Sequence, residues 1–243
     1  MTIPQINKSD WDMVCVLGPT ASGKTKYAVA LANALGDCEI ISADSRQVYR
    51  GMDIGTGKDL ADYCGIPYHL IDIADAGGQY NVFRFKEDFA KAYADIRSRG
   101  KFPILCGGTG LYINAVTRDY DFSGNIPLSQ ERECSDKAPR TFFIGTSVTR
   151  EVRNSRIDAR LDARLKEGMV DEIKGLLDNG VPASTLISYG LEYNFVTLYL
   201  QGELSYEQMR EKLAIAIHQF AKRQMTWFRG MERSGVLIHW VEV

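Results

Sequence analysis

The chain has 243 residues, 45% hydrophobic and 25% charged, with a formal net charge of −2 and a pI near 6.0. That is ordinary globular composition, enough for one large α/β domain, and no apolar run approaches the length of a membrane span. The charge balance implies no nucleic-acid partner in general, and excludes none that is gripped locally.

Residues 1–11 are polar and lack an apolar core, so no secretory leader is expected. The five cysteines, Cys15, Cys38, Cys64, Cys106 and Cys134, are far apart and never form C-x-x-C. Free thiols in a reducing cytoplasm are expected, and a zinc site is not. Residues 12–18 read as a first strand. It runs into Gly18, Pro19, Thr20, Ala21, Ser22, Gly23, Lys24 and Thr25, which fit G-x-x-x-x-G-K-[ST]. A helix-like run follows, with Tyr27, Ala28, Leu31 and Leu35 at helical spacing. Strand, glycine loop and helix form a phosphate cradle in which backbone N–H groups and the helix N-terminus face the anion. Lys24 would neutralise phosphate charge, and the Thr25 hydroxyl would reach Mg²⁺.

Residues 39–43 read as a buried strand ending at Asp44, Ser45, Arg46 and Gln47. In open α/β sheets ligands gather at the carboxyl ends of strands, which puts Asp44 beside the phosphate loop. Residues 51–59 carry three glycines and read as a mobile loop over the site. A short strand is expected at residues 68–73, and Asn81 is a good N-cap for a helix to about Arg99. Residues 102–106 form the next strand and break into Gly107-Gly108-Thr109-Gly110 before another helical run. Residues 117–138 look like a surface connection, and a strand follows around Phe142 and Ile144.

A long helix begins at Arg150, with Ile157, Leu161, Leu165, Met169 and Ile173 on its core face. Arg156, Arg160 and Arg164 make a second stripe at i, i+4 spacing; a solvated face paired with Asp158 and Asp162 accounts for it by spacing alone. Residues 180–193 read as a loop with one helical turn. Ser205 with Gln208 is a capping-box start for a last helix to about Phe228. Residues 236–241 close the chain as a strand. Strands alternating with helices argue one α/β domain over residues 1–243, a mostly parallel sheet with helices on both faces.

The phosphate loop is of the nucleotide-binding, ATP-binding type, but it does not fix the chemistry. A phosphoryl-transfer enzyme normally has a second carboxylate near Mg²⁺ at a strand end. The strand at 102–106 ends in Gly-Gly-Thr and carries none. A small-molecule kinase, other diphosphate chemistry and nucleotide binding without turnover all remain open by residues alone.

Beyond the loop, Ala43-Asp-Ser-Arg-Gln47, Gly51-Met-Asp-Ile-Gly-Thr56, His69-Leu-Ile-Asp-Ile73, Gly107-Gly-Thr-Gly-Leu-Tyr112, Arg156-Ile-Asp-Ala-Arg160 and Ala221-Lys-Arg-Gln-Met-Thr-Trp-Phe-Arg229 occur in order. With them the chain resembles the tRNA dimethylallyltransferases, or tRNA isopentenyltransferases. The resemblance implies a P-loop NTPase-like fold whose loop holds dimethylallyl diphosphate rather than ATP. It implies transfer of the dimethylallyl group to N6 of the adenine next to the anticodon of tRNA, with diphosphate released. On that pattern Asp44 matches the general base, Thr109 the threonine near the reacting centre and Arg160 the diphosphate-binding arginine. Asp44, Ser45, Arg46, Gln47 and Thr109 would hold the extruded adenine. Mg²⁺ on Thr25 is the implied cofactor, and a cytoplasmic monomer is expected.

Two departures stand out. The interval of about 117–150 is shorter than that family's, whose members carry an anticodon-stem-binding insertion there. Ile217-His218 stands where the family usually has Thr-Arg. From Arg140 to Arg233 there are 14 Lys/Arg against 12 Asp/Glu, so no basic half compensates. Relatives that prenylate AMP, ADP or ATP also lack the insertion, which makes a free adenine nucleotide the alternative acceptor.

Overall fold

A computed structural model describes residues 2–118 and 138–243. Strand β1 (Met13–Leu17) is buried at every position and delivers the chain into the phosphate loop. Helix α1 (Lys24–Leu35) begins directly at the end of that loop, with Gly23 as its N-cap at φ 80°. Strand β2 (Cys38–Ser42) follows, then the two-residue β3 (Tyr49–Arg50). The strand expected at 68–73 is cut to β4 (Tyr68–His69), because Leu70 (φ 62°) and Asp72 (φ 56°) turn the backbone left-handed. The chain then forms β5 (Ala74–Asp75), which pairs with β3 in a separate ribbon.

Helix α2 (Val82–Ser98) starts where the sequence places it, with the Asn81 side chain accepting from Arg84 N at 3.1 Å. Strand β6 (Phe102–Gly107), helix α3 (Gly110–Thr117) and strand β7 (Thr141–Ser147) come next. Most of the connection read as a surface strip, Cys134 included, lies outside the described residues.

The long helix expected from Arg150 is two helices. Gly168, at φ 104°, ends α4 (Arg150–Glu167) and opens α5 (Met169–Asp178). The helical turn expected within the loop at 180–193 is α6 (Ala183–Tyr189), longer than one turn, and α7 (Leu191–Leu200) follows it across Gly190 and runs past the loop's expected end. Their buried Leu186, Tyr193 and Val196 join the main core. Helix α8 (Tyr206–Arg233) has the full capping box at Ser205 and Gln208 and runs past Phe228, and β8 (Ile238–Glu242) closes the sheet.

The main sheet has the order β4-β2-β6-β1-β7-β8, with every pair parallel. Alternation along β1 divides the core between the two faces. Val14 and Val16 pack with Tyr27, Ala28 and Leu31 of α1. Met13, Cys15 and Leu17 face the larger layer containing Phe85 of α2, Ile113 of α3 and Phe228 of α8. Parallel strands covered on both faces read as continuous apolar runs, which is what the sequence displays. Cys15, Cys38 and Cys106 are free and buried, and Cys64 is free and exposed.

Candidate active site

The phosphate loop is wound around one carbonyl. Pro19 O accepts from Lys24 Nζ at 2.9 Å and from Ser22 Oγ at 2.8 Å. The Ser22 hydroxyl is fully buried and lies 2.7 Å from Thr146 Oγ1 on β7, which ties the loop to the neighbouring strand. Burial lowers the pKa of Lys24, with Cys106 and Asp44 opposing and Arg160 adding to the fall. Its ammonium is thus fixed and only partly hydrated, ready for an anion.

At the end of β2, Asp44 Oδ1 accepts from the backbone N–H of Arg46 at 2.9 Å and of Gln47 at 3.3 Å. This turn leaves Oδ2 without a hydrogen-bond donor among the described residues. Ser45 N donates to Thr109 Oγ1 at 3.1 Å. That contact needs the ends of β2 and β6 close together. A Cβ on Gly107 would stand 2.2 Å from Ala43 O, so only glycine permits it. Arg46 is ion-paired with the buried Glu192 of α7. Burial alone would lower the Arg46 pKa, but Glu192 and Asp44 raise it overall. Gln47 Nε2 donates to Gly57 O at 3.1 Å.

The loop read as mobile is anchored. Glu172 of α5 accepts from the N–H groups of Asp53 (2.8 Å), Ile54 (2.6 Å) and Gly55 (3.1 Å), and from Tyr193 OH at 2.8 Å. Lys58 has a fully buried side chain and pairs with Asp53 at 2.9 Å and with Asp72. A carboxylate meeting three successive N–H groups is a strong fixed contact.

The arginine stripe of α4 is not a solvated face paired along its own helix. Asp162 binds Arg210 of α8 through two bonds of 2.8 Å. Asp158 Oδ1 lies 2.9 Å from His218 Nε2. The stripe instead faces the phosphate loop across a cavity of about 550 Å³. Arg160 pairs there with Asp59.

Lys24, Thr25, Asp44, Arg46, Gln47 and Arg160 line that cavity together, as do Thr20, Ala21 and Gly23 of the loop. Gly18, Pro19, Ser22, Ser45 and Thr109 do not reach its wall. Ser22 holds Pro19 O and Thr146 Oγ1, and Thr109 holds Ser45 N, so both steady the wall residues through their chain neighbours and not by direct contact. Two further wall residues had no role by sequence. Gln224, in the Ala-Lys-Arg-Gln run, bridges the phosphate loop to the Gly-Gly turn, and Arg164 lies beside Arg160. The i, i+4 spacing was the available signal for Arg164.

Among the described residues no group of three or more His, Cys, Asp or Glu side chains is placed to hold a metal. Thr25 is a single hard oxygen donor, so Mg²⁺ at this site would take most of its ligands from phosphate oxygens and water, as that ion does readily.

Comparison with known proteins gives one family. The profile described as IPP transferase matches residues 47–138 and 123–231, and the profile described as isopentenyl transferase matches residues 11–64. A tRNA dimethylallyltransferase of Porphyromonas gingivalis is 49% identical over 283 aligned positions, covering 95% of this chain and 93% of the relative. One of Parabacteroides distasonis is 48% identical, covering 96% and 92%. Both alignments run longer than this chain, so these relatives carry residues without a counterpart here. The crystal structure of the tRNA isopentenylpyrophosphate transferase of Bacillus halodurans superposes with a TM-score of 0.82 at 31% identity, covering 95% of this chain and 89% of that one. Profiles spanning both the phosphate loop and the arginine helix, with close relatives over nearly the whole chain, place this protein in the IPP transferase family.

Proposed function

We propose that the protein transfers the dimethylallyl group of dimethylallyl diphosphate to the exocyclic N6 of the adenine beside the anticodon in tRNA. The observation that carries this reading is that Asp44, at the end of β2, Lys24, at the end of the phosphate loop, and Arg160 of α4 line one cavity. N6 attacks the allylic carbon as the carbon–oxygen bond to diphosphate breaks. The N6 proton passes to Asp44 Oδ2, and the electron pair of the broken bond leaves with diphosphate. The amine is a poor nucleophile, because its lone pair is delocalised into the ring. A fixed carboxylate that orients it and takes its proton lowers that barrier. Lys24, the loop N–H groups and Arg160 stabilise the negative charge gathering on the leaving group.

In this reading Thr109 is a positioning residue, holding Ser45 and through it the Asp44 turn. Arg46 and Gln47 present the adenine side of the cavity. Bound Mg²⁺, with Thr25 as its protein ligand, would supply further charge neutralisation on the diphosphate. A reducing cytoplasm fits the free thiols Cys15, Cys38, Cys64 and Cys106. No helix among the described residues is long and apolar enough to cross a membrane.

The test supplies dimethylallyl diphosphate with either unmodified tRNA or AMP. Prenylated tRNA is the expected product, and product on AMP alone overturns the tRNA assignment. Mass spectrometry of tRNA nucleosides from cells with and without the gene gives the same answer in vivo.

A further inference from the structure

Arg164 carries a buried cation without adequate neutralisation. Its side chain is 11% exposed, and its Nη2 has no hydrogen-bond partner. The nearest carboxylate oxygen, Asp59 Oδ2, is 3.7 Å away and is already engaged by Arg160. Glu192 serves Arg46. Two carboxylates, Asp59 and Glu192, thus face three guanidinium groups, Arg46, Arg160 and Arg164, on the cavity wall, and each carboxylate is already paired with another arginine. Burial, and then Arg160, push the Arg164 pKa down to about 10, the direction expected for a cation short of counter-charge.

The packing around it is built for close approach. Gly57 sits in the left-handed region (φ +67°), and a Cβ there would lie 1.9 Å from Arg164 Nη2 and 2.9 Å from Arg160 Nη2. Glycine lets the loop lie directly over both guanidinium groups. Arg164 also lines the narrow pocket behind Thr20 and Ala21 of the phosphate loop.

We propose that Arg164 is a second diphosphate-binding guanidinium, acting with Arg160, and that Asp59 is the counter-ion displaced when the diphosphate enters. This rests on the prenyl-transfer reading of the cavity. A diphosphate carries several negative charges and pairs of acceptor oxygens that match the planar donor forks of two adjacent arginines.

The test uses the full chain, with Arg164→Met and Arg164→Lys. Inorganic pyrophosphate with Mg²⁺ is titrated calorimetrically, and melting is recorded without ligand. Arg164→Met should weaken pyrophosphate binding about 10- to 100-fold, the loss expected for a charge-assisted contact. Its ligand-free Tm should hold or rise, because an under-neutralised buried charge has been removed. Arg164→Lys should fall between the two, and KM should rise for dimethylallyl diphosphate but not for tRNA. Pyrophosphate affinity equal to wild type in Arg164→Met, or a lowered ligand-free Tm, overturns the proposal and assigns Arg164 to structure. If wild type binds pyrophosphate through Arg164 yet makes no prenylated tRNA, the prenyl-transfer reading fails instead.

Discussion

Gln224 and Thr20 are 204 positions apart in the chain, and Gln224 Oε1 accepts from Thr20 N at 2.8 Å. The same amide donates through Nε2 to Gly108 O at 3.0 Å. One buried side chain of α8 therefore fixes the distance between the phosphate loop and the turn that carries Thr109. Truncation leaves a backbone donor and acceptor without their partner at the cavity wall, at a cost of about 1–3 kcal/mol. Gln224→Ala should lower the melting temperature and raise KM for dimethylallyl diphosphate. Calorimetry and steady-state kinetics measure both, and an unchanged KM would leave the bridge without a role in the site.

Asp44 can be tested without disturbing its turn. In Asp44→Asn the amide oxygen still accepts from Arg46 N and Gln47 N, so the loop geometry is retained. What is lost is the base. Transfer should fall by about 10²- to 10⁴-fold in kcat, the range for a positioned proton acceptor. Pyrophosphate binding, measured by titration, should stay near wild type. A comparable loss of pyrophosphate affinity would make Asp44 part of the diphosphate or Mg²⁺ site.

Glu172 holds residues 53–55 by three N–H groups while standing outside the cavity wall. Glu172→Ala should free the loop that carries Gly57 and Asp59. Amide hydrogen exchange at residues 53–58 should accelerate by about tenfold or more, since each charge-assisted bond is worth about 1.5–3 kcal/mol. KM for dimethylallyl diphosphate should rise with it. Unchanged exchange would show that Lys58 and its ion pairs hold the loop alone.

That anchor marks where sequence reasoning stopped. The alternation of apolar runs with helical periods gave the parallel α/β sheet, and the phosphate loop was legible from spacing, because both are local patterns. The loop at 51–59 looked mobile from its glycines, whereas a carboxylate more than a hundred positions away pins it. The arginine stripe could not be resolved locally either. Asp158 and Asp162 are correctly spaced to pair along α4, but His218 and Arg210 of α8 take them. Helix α6 was legible only as one helical turn and α7 not at all, because each is short and Gly190 interrupts them, so neither shows enough turns for a period. The identity of the phosphate compound came from family resemblance, not from spacing.

The last prediction concerns acid stability. Glu39 of β2 is 4% exposed and accepts from Arg99 Nη1, from Arg99 Nη2 at 2.8 Å and from His69 Nε2 at 2.7 Å. It ties the C-terminal end of α2 and the edge strand β4 to the sheet. Arg99, and then His69, lower its pKa to about 2 from an ordinary value of 4.5. A carboxyl whose folded-state pKa is depressed stabilises the fold fully above its unfolded value. That contribution is lost as pH falls through the folded one. Stability from Glu39 should therefore be complete above about pH 5 and disappear between there and about pH 2. Glu39→Gln removes the ionisable group but keeps its shape. At neutral pH it should cost about 1–3 kcal/mol, discounted because Arg99 is partly solvated, and it should flatten the fall in stability between those limits. Urea unfolding of both proteins across that range is the measurement. Parallel curves would mean that another carboxylate, such as Asp12 against Arg140, sets the acid limb.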